Sequence, residues 1–201
     1  MSGIWVAGVL GIVEGLTEFL PVSSTGHLII AGNLLDFTGE KAACFEVFIQ
    51  LGAIFAVVVL YFHRFAALIP GSGAPFINSN PDRFAGLRGI LLLGLTTLPA
   101  LFLGFMVHRF IKQYLFVPET VALALGIGGI GILLAEKFKP RSSITDLDSL
   151  GYRHALFVGF FQCLSLWPGI SRAAATIIGG LFSGLDRRLA AEYSFLAAVP
   201  V

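Results

Sequence analysis

Charged side chains are scarce in this sequence. Lysine, arginine, aspartate and glutamate make up 12% of the 201 residues, whereas soluble domains carry about 25%. Hydrophobic residues make up 56%, and the mean hydropathy is +0.88. The composition therefore excludes an ordinary water-soluble globular domain and predicts a protein that resides in a membrane.

Other absences narrow the class further. The only two cysteines, Cys44 and Cys163, both lie in apolar runs, so we expect two buried thiols, and the sequence implies no disulfide framework. The formal net charge of +1 gives no indication of a nucleic-acid partner, and none is expected. Residues 1–5 lack the basic residues of a cleaved signal peptide, so we expect the first apolar segment to be retained.

What is present is a set of long apolar runs rather than the short alternating segments of a membrane β-barrel. Three runs approach the ~20 residues that a transmembrane helix needs, and they predict spans at 43–62, 89–107 and 119–135. The connections at 64–88 and 108–118 are polar or short. The sequence therefore predicts an all-α, polytopic membrane protein.

Two further apolar runs are each interrupted by a proline, which lacks the N–H that a helix interior uses. Their halves are too short for full spans, and non-helical backbone is tolerated at membrane depth where it lines a cavity. We therefore predict two re-entrant helical hairpins, each entering and leaving the membrane on one side. The first joins residues 4–20 and 24–35 around Pro21, and the second joins residues 154–167 and 171–185 around Pro168.

The two predicted hairpins are separated by an odd number of spans, so they must enter from opposite faces. Pro21 precedes Ser24, and Pro168 precedes Ser171, by the same three positions. We predict an inverted-topology repeat, an arrangement whose site lies near the midplane. Residues 1–201 then form one integral membrane domain, with repeat one at about 1–107 and repeat two at about 119–201, where a last span begins at residue 189.

The basic residues are distributed unequally between the two faces of this arrangement. Nine lie on one face and three on the other, with Arg172 left inside. Cytoplasmic loops are enriched in lysine and arginine, so we expect the N-terminus outside. The nine are Arg64, Arg83, Arg88, Lys137, Lys139, Arg141, Arg153, Arg187 and Arg188, and the three are Lys41, Arg109 and Lys112.

Three ionisable side chains inside the apolar region point to a site. Glu14 and Glu18 have the i, i+4 spacing that stacks side chains on one helix face, where a divalent cation, Mg²⁺ or Ca²⁺, would bridge them. The alternative is a protonated structural pair. Arg172 requires an anion at membrane depth, either a phosphate or one of these glutamates.

Hydroxyls follow both prolines, where a helix N-terminus supplies free N–H groups to an anion. Plain helix capping is the alternative role for each serine. His27, one turn after Ser24, is predicted to handle a proton. The predicted phosphate-binding residues are Ser23, Thr25, Ser171, Arg172 and Thr176, with Glu46, Gln50, Gln162 and Glu192 as supporting polar groups between helices.

The two motifs resemble a known family. Glu-Gly-Leu-Thr-Glu-Phe-Leu-Pro-Val-Ser-Ser-Thr-Gly-His at 14–27 and Pro-Gly-Ile-Ser-Arg at 168–172 closely resemble the bacterial undecaprenyl-diphosphate phosphatases, also called bacitracin-resistance proteins. The likeness also includes residues 45–52, 161–163 and Trp167, and it extends over essentially the whole chain.

The resemblance implies an enzyme of the bacterial inner membrane that hydrolyses undecaprenyl diphosphate to the monophosphate and so recycles the lipid carrier for cell-wall synthesis. It implies that Glu14 and Glu18 serve a divalent metal, that Ser24 and His27 serve the reaction, and that Ser171, Arg172 and Thr176 bind phosphate. The expected partners are this isoprenoid lipid diphosphate and membrane lipids, with a homodimer left open.

Two departures from the family pattern stand out. The second motif of the family usually continues Ser-Arg-Ser, whereas Ala173 and Ala174 follow Arg172 here. The family also continues through further spans beyond the position of Val201, so we expect this chain to be a shortened version. A transporter or lipid flippase is the alternative function, because inverted repeats and broken helices are typical of transporters.

Overall fold

The computed structural model describes residues 3–69, 84–115 and 117–200, apart from the side chain of Pro118. Residues 70–83 of the predicted polar loop, which include Arg83, and Val201 lie outside the described residues. Within these ranges the chain is helical, with a single β-bridge between Ile144 and Leu185 and no strand. The helices are α1 (Gly3–Thr17), α2 (Ser24–Leu34), α3 (Glu40–Leu60), α4 (Phe62–Leu68), α5 (Gly86–Phe110), α6 (Pro118–Phe138), α7 (Tyr152–Gln162), α8 (Arg172–Phe182) and α9 (Arg187–Ala197).

Three of the described helices are long and apolar enough to cross a membrane. They are α3, α6, and α5 together with the π-helical turn Ile111–Leu115 that continues it. Their most apolar windows have mean hydropathies of 2.3, 1.8 and 2.3, respectively. Most of their side chains are exposed in the isolated chain, as expected of helices whose solvent is lipid. The three spans predicted from the sequence are confirmed in position.

The polar connections differ from the prediction. Residues 62–68, at the start of the predicted loop 64–88, form helix α4, because Phe65 and Leu68 find an apolar core to pack against. The predicted connection 108–118 is also largely helical, since α5 ends at Phe110 and the π-helical turn follows directly.

Both proline-containing segments are broken helices, as predicted. α1 ends at Thr17, and α2 begins at Ser24 after the cap residue Ser23, whose backbone has φ 61°. α7 is followed by a 3₁₀ turn (Cys163–Leu166). The chain then turns at Gly169, where φ is 103° and a Cβ atom would lie 2.5 Å from the Val121 carbonyl oxygen. Only glycine fits such a turn.

The principal hydrophobic core lies around α8, and its packing holds the second broken helix in position. α7 packs on α5 and α8, and α8 packs on α9. Leu92, Val158, Leu181 and Tyr193 contribute fully or almost fully buried side chains from these four helices. A smaller cluster between α1 and α2 contains Leu10 and Leu28, with further apolar side chains from α3. The two broken helices are therefore each held by their own packing.

Gly159 is the point of closest approach between α5 and α7. A Cβ atom there would lie 2.7 Å from the Thr96 carbonyl oxygen and 3.0 Å from that of Leu95. Because backbone atoms cannot move aside cheaply, we expect Gly159→Ala to lower the free energy of unfolding by about 1–3 kcal/mol. Gly129→Ala is the control, because nothing lies within 4 Å of a Cβ there. Equal thermal midpoints for the two variants in detergent would contradict this expectation.

Candidate active site

A cavity of about 240 Å³ lies where the two broken helices meet. Residues of both broken helices line it, and α3 and the end of α9 complete the wall. Hydroxyl, carboxylate, amide and guanidinium groups occupy this wall, in contrast to the apolar surface of the spans. The lining residues are Glu18, Ser23, Ser24, Thr25, Gln50, Ile54, Ser165, Pro168, Gly169, Ile170, Ser171, Arg172, Ala173 and Ala198.

Glu18 is the centre of the polar cluster in this cavity. The Arg172 Nη2 atom donates to Glu18 Oε1 at 2.5 Å, across a separation of 154 residues in the sequence. The Ser24 hydroxyl donates to Glu18 Oε2. The side chains of Glu18 and Arg172 are only 17% and 23% exposed, respectively. The structure thus brings the glutamate-containing motif and the arginine motif together, and among the anions that the sequence left open Arg172 is paired with Glu18.

Two helix N-termini border the same cavity. The Ser23 hydroxyl accepts from the Gly26 N–H at the start of α2, and the Ser171 hydroxyl accepts from the Ala174 N–H at the start of α8. Both serines also line the cavity, so the capping role does not remove them from the site. Free N–H groups and the positive dipole ends make such termini suited to a multiply charged anion.

Glu14 and Glu18 have different surroundings in the structure. α1 ends at Thr17, so Glu18 lies beyond the helix, although its N–H still donates to the Glu14 carbonyl at 2.9 Å. Glu18 lines the cavity. The Glu14 side chain lies outside the cavity wall, only 1% exposed, and neither carboxylate oxygen has a hydrogen-bond partner among the described residues. The charged groups nearest to it include Glu18, Glu46 and Arg172.

A protein-only metal cage is absent from the described ranges, since no group of three or more histidine, cysteine, aspartate or glutamate side chains converges there. Two carboxylates lie in this region, that of Glu14, which has no hydrogen-bond partner among the described residues, and that of Glu18, whose oxygens accept from Arg172 and Ser24. Such a pair fits a cation that completes its coordination with phosphate oxygens, as Mg²⁺ does in many phosphate sites.

His27 lies half-buried on the first turn of α2, beside the cavity but not in its wall. Its Nδ1 atom is 2.8 Å from the Ser23 carbonyl oxygen. Because a carbonyl only accepts, Nδ1 carries a proton and Nε2 is left as the acceptor nitrogen. This tautomer suits the predicted role in proton handling.

The supporting polar residues fall into different environments. Gln50 lines the cavity, whereas Glu46 is half-buried on the turn of α3 that lies near Glu14. Gln162 is buried at the end of α7, with neither amide atom hydrogen-bonded within the described residues. Glu192 pairs with Arg64 of α4 at 3.3 Å and lies outside the cavity wall. Only Gln50 therefore reaches the site directly.

Three lining residues were not singled out from the sequence: Ser165, Ile54 and Ala198. The Ser165 hydroxyl donates to the Gln162 carbonyl at 2.7 Å, which holds the 3₁₀ turn before Pro168. No local pattern distinguishes such a serine from an ordinary turn residue. Its place in the wall depends on the packing of α7 against α5 and α8.

Thr176 is placed differently from the other predicted phosphate-binding residues. It is buried, and its Oγ1 atom lies 2.6 Å from the Ser194 hydroxyl on α9 and 2.9 Å from the Arg172 carbonyl oxygen. The side chain joins α8 to α9 and does not line the cavity. Thr25, in contrast, lines the cavity wall on α2.

We therefore expect Thr176→Val to cost stability more than turnover. The lost hydroxyl leaves Ser194 unpartnered, which lowers the free energy of unfolding by about 1–3 kcal/mol. Phosphate release from a lipid diphosphate should stay within about tenfold of the unmodified chain, or about 1.4 kcal/mol. Thr25→Val is the matched control and should show the reverse pattern. A Thr176→Val variant with unchanged thermal midpoint and no turnover would mean that this hydroxyl serves the substrate.

Together, the long apolar helices and this polar cavity are those of a helical membrane protein with a polar cavity between its two broken helices. Comparison with known proteins agrees. The family described as Bacitracin resistance protein BacA matches residues 7–201, and the chain belongs to this family.

Several curated relatives carry the name Undecaprenyl-diphosphatase. The one from Maridesulfovibrio salexigens is 59% identical over 202 residues, which cover 100% of this chain and 74% of the relative. The one from Nitratidesulfovibrio vulgaris is 59% identical, with 100% and 73% covered. The one from Lawsonia intracellularis is 53% identical, with the same coverage. The chain is thus similar to these proteins over its full length.

Proposed function

We propose that this protein hydrolyses undecaprenyl diphosphate to undecaprenyl phosphate and inorganic phosphate. The names of the curated relatives favour this reaction over transport. The observation that carries the proposal is the Arg172–Glu18–Ser24 cluster in a cavity bordered by two helix N-termini. Such a site can hold a diphosphate and neutralise its charge, which is most of what phosphoryl transfer requires.

The catalytic residues in this proposal are Glu14, Glu18, Ser24, His27 and Arg172. The diphosphate would replace Glu18 as the partner of Arg172, whose planar guanidinium matches two phosphate oxygens at once. Ser24 and Ser171, with the N–H groups of α2 and α8, would hold the remaining oxygens. The bond from the terminal phosphorus to the bridging oxygen breaks, and the bridging oxygen leaves on the lipid monophosphate.

Proton handling falls to His27, whose Nε2 atom can accept a proton from the attacking group. Direct attack by water and a covalent intermediate on Ser24 or His27 both remain compatible with this arrangement. In either route one water molecule is consumed, and its atoms end on inorganic phosphate and the released proton.

A divalent cation, Mg²⁺ or Ca²⁺, is part of the proposal. Glu14 and Glu18 would hold it, because Glu14 has a buried carboxylate with no hydrogen-bond partner among the described residues. When bound, the cation would neutralise charge on the phosphate oxygens. The carboxylates would in turn be relieved of their mutual repulsion.

The two broken helices would act as re-entrant hairpins of an inverted repeat. The N-terminus would lie on the outer face of the inner membrane, opposite the cytoplasm. Support comes from the paired breaks after α1 and after α7, each followed by a capped helix that borders the cavity. Substrate would then reach the site from the surrounding lipid, and its hydrocarbon chain would stay in an apolar environment.

A phosphate-release assay tests the proposal. The 201-residue chain, purified in detergent, is given undecaprenyl diphosphate with Mg²⁺ or Ca²⁺ and then with excess chelator. We expect inorganic phosphate to appear with the cation and to fall steeply with the chelator. Movement of the lipid across a vesicle membrane without phosphate release would favour the transporter alternative.

A further inference from the structure

A second cavity, of about 430 Å³, forms a groove between α6, α8 and α9. Its wall is aliphatic except at one end. That end holds Glu136 and Arg187, which pair with each other and are well exposed, with Arg187 at 68% of its side chain. The apolar wall includes Pro21, Ile132, Ala174, Ile178, Leu181 and Ala191. We call this cavity the lateral groove.

The lateral groove and the polar cavity are immediate neighbours. Ala173 lines the polar cavity, and the next residue, Ala174, lines the groove. Likewise Ser23 lines the polar cavity, and Pro21, two residues earlier, lines the groove. The first turn of α8 and the break between α1 and α2 therefore contribute to the walls of both cavities. A phosphate bound in the polar cavity would carry its attached chain to the edge of the groove.

The chemistry of the groove suits a branched hydrocarbon. Its isoleucine, leucine and alanine side chains offer no hydrogen-bonding atoms, and the exposed Glu136–Arg187 ion pair forms its polar end. Two consecutive alanines keep the wall thin at the junction, where bulkier side chains would extend into the space on either side of α8. Away from this ion pair a polar ligand would find no side-chain hydrogen-bond partner in the groove wall, whereas an apolar chain would exchange contacts with lipid for equivalent contacts with protein.

We infer that the lateral groove binds the isoprene units that follow the first two in the lipid diphosphate whose head group occupies the polar cavity. This inference rests on the proposed function and adds the site that recognises the lipid part of the substrate. Groove contacts then favour long-chain substrates over short-chain prenyl diphosphates that share the same head group. The residues that determine this preference are on α6 and α8, away from the reacting phosphate.

The test compares two substrates on matched variants of the purified 201-residue chain. Ile132→Trp fills the groove from α6. Ile178→Ala removes contacts from α8 without adding bulk. Leu133→Trp is the control, because Leu133 follows Ile132 on the same helix but is 72% exposed and outside the groove wall. The substrates are undecaprenyl diphosphate and geranyl diphosphate, whose two isoprene units have little hydrocarbon to place in the groove.

We expect both groove variants to lower kcat/KM for undecaprenyl diphosphate at least about tenfold, chiefly through KM, and to leave geranyl diphosphate turnover unchanged. The control should leave both substrates unchanged. Unaltered geranyl turnover also shows that each variant is folded. Equal losses for both substrates, or no loss for either, would contradict the inference that the lateral groove binds the lipid tail.

Two further outcomes distinguish failure of the inferred tail binding in the lateral groove from failure of the proposed function. If the unmodified chain releases phosphate from neither substrate, the proposed function fails and the groove inference fails with it. If the unmodified chain acts on both and the groove variants change only the retention of vesicle phospholipids, the groove holds an acyl chain of a bilayer lipid. In that case the inference about the lipid tail is wrong, while the proposed function stands.

Discussion

Replacing Arg172 with lysine is expected to lower phosphate release at least about 10³-fold, at the lower end of what arginines contribute to phosphoryl transfer. Lysine keeps the positive charge that balances Glu18, so the fold should survive. It lacks the planar pair of donors that can hold two phosphate oxygens at once. The loss should therefore appear in turnover, while the thermal midpoint in detergent stays close to that of the unmodified chain.

Arg187→Lys is the matched control for this substitution. Arg187 also pairs with a glutamate, Glu136, but at an exposed position at the far end of the lateral groove. Exposed ion pairs contribute about 0–1 kcal/mol, so this variant should behave like the unmodified chain. An Arg172→Lys variant that keeps turnover within tenfold would show that Arg172 is a structural partner of Glu18 and not a phosphate ligand.

Glu14→Gln is expected to reduce phosphate release about 10²-fold or more, the size of effect typical of a lost transition-state contact. The carboxylate of Glu14 is buried and has no hydrogen-bond partner among the described residues. A buried group of this kind destabilises the fold by about 1–3 kcal/mol when it is unpaired. The neutral amide of glutamine has the same shape, so the thermal midpoint should stay equal or rise while activity falls.

Loss of activity combined with equal or greater stability is typical of a residue retained for function at a cost in stability. Titration of phosphate release with Mg²⁺ or Ca²⁺ would show whether the variant also needs more cation, as a metal ligand should. Glu40→Gln, at the exposed start of α3, is the control and should leave both measurements unchanged. A lower thermal midpoint for Glu14→Gln would instead indicate a structural carboxylate.

The two glutamates of the first motif illustrate where reasoning from the sequence ended. Their i, i+4 spacing predicted one helix face and one shared cation. In the structure Glu18 accepts from Arg172 and Ser24, whereas Glu14 is buried and has no hydrogen-bond partner among the described residues. The spacing of two residues along a helix does not state how deeply each is buried or which groups of another segment reach it, because both depend on tertiary packing.

Thr176 and Glu192 show a related limit. The sequence predicts a phosphate-binding role for Thr176, yet its hydroxyl bonds to Ser194, and Glu192, predicted as a supporting group between helices, pairs with Arg64. A hydroxyl or carboxylate in an apolar helix needs a partner, but the sequence does not state which neighbouring helix supplies it. That choice depends on how α4, α8 and α9 pack.

Composition and proline placement alone determined that this chain is a helical membrane protein with two broken helices, because long apolar runs and a missing backbone N–H act locally. The same local signals gave the three long spans and the residue types of the candidate site. Only the tertiary structure decided that Arg172 meets Glu18 across 154 residues, that Ser165 and Ile54 join the cavity wall, and that a groove lies behind Ala174. These contacts arise from the packing of separate helices, which depends on shape complementarity over the whole chain.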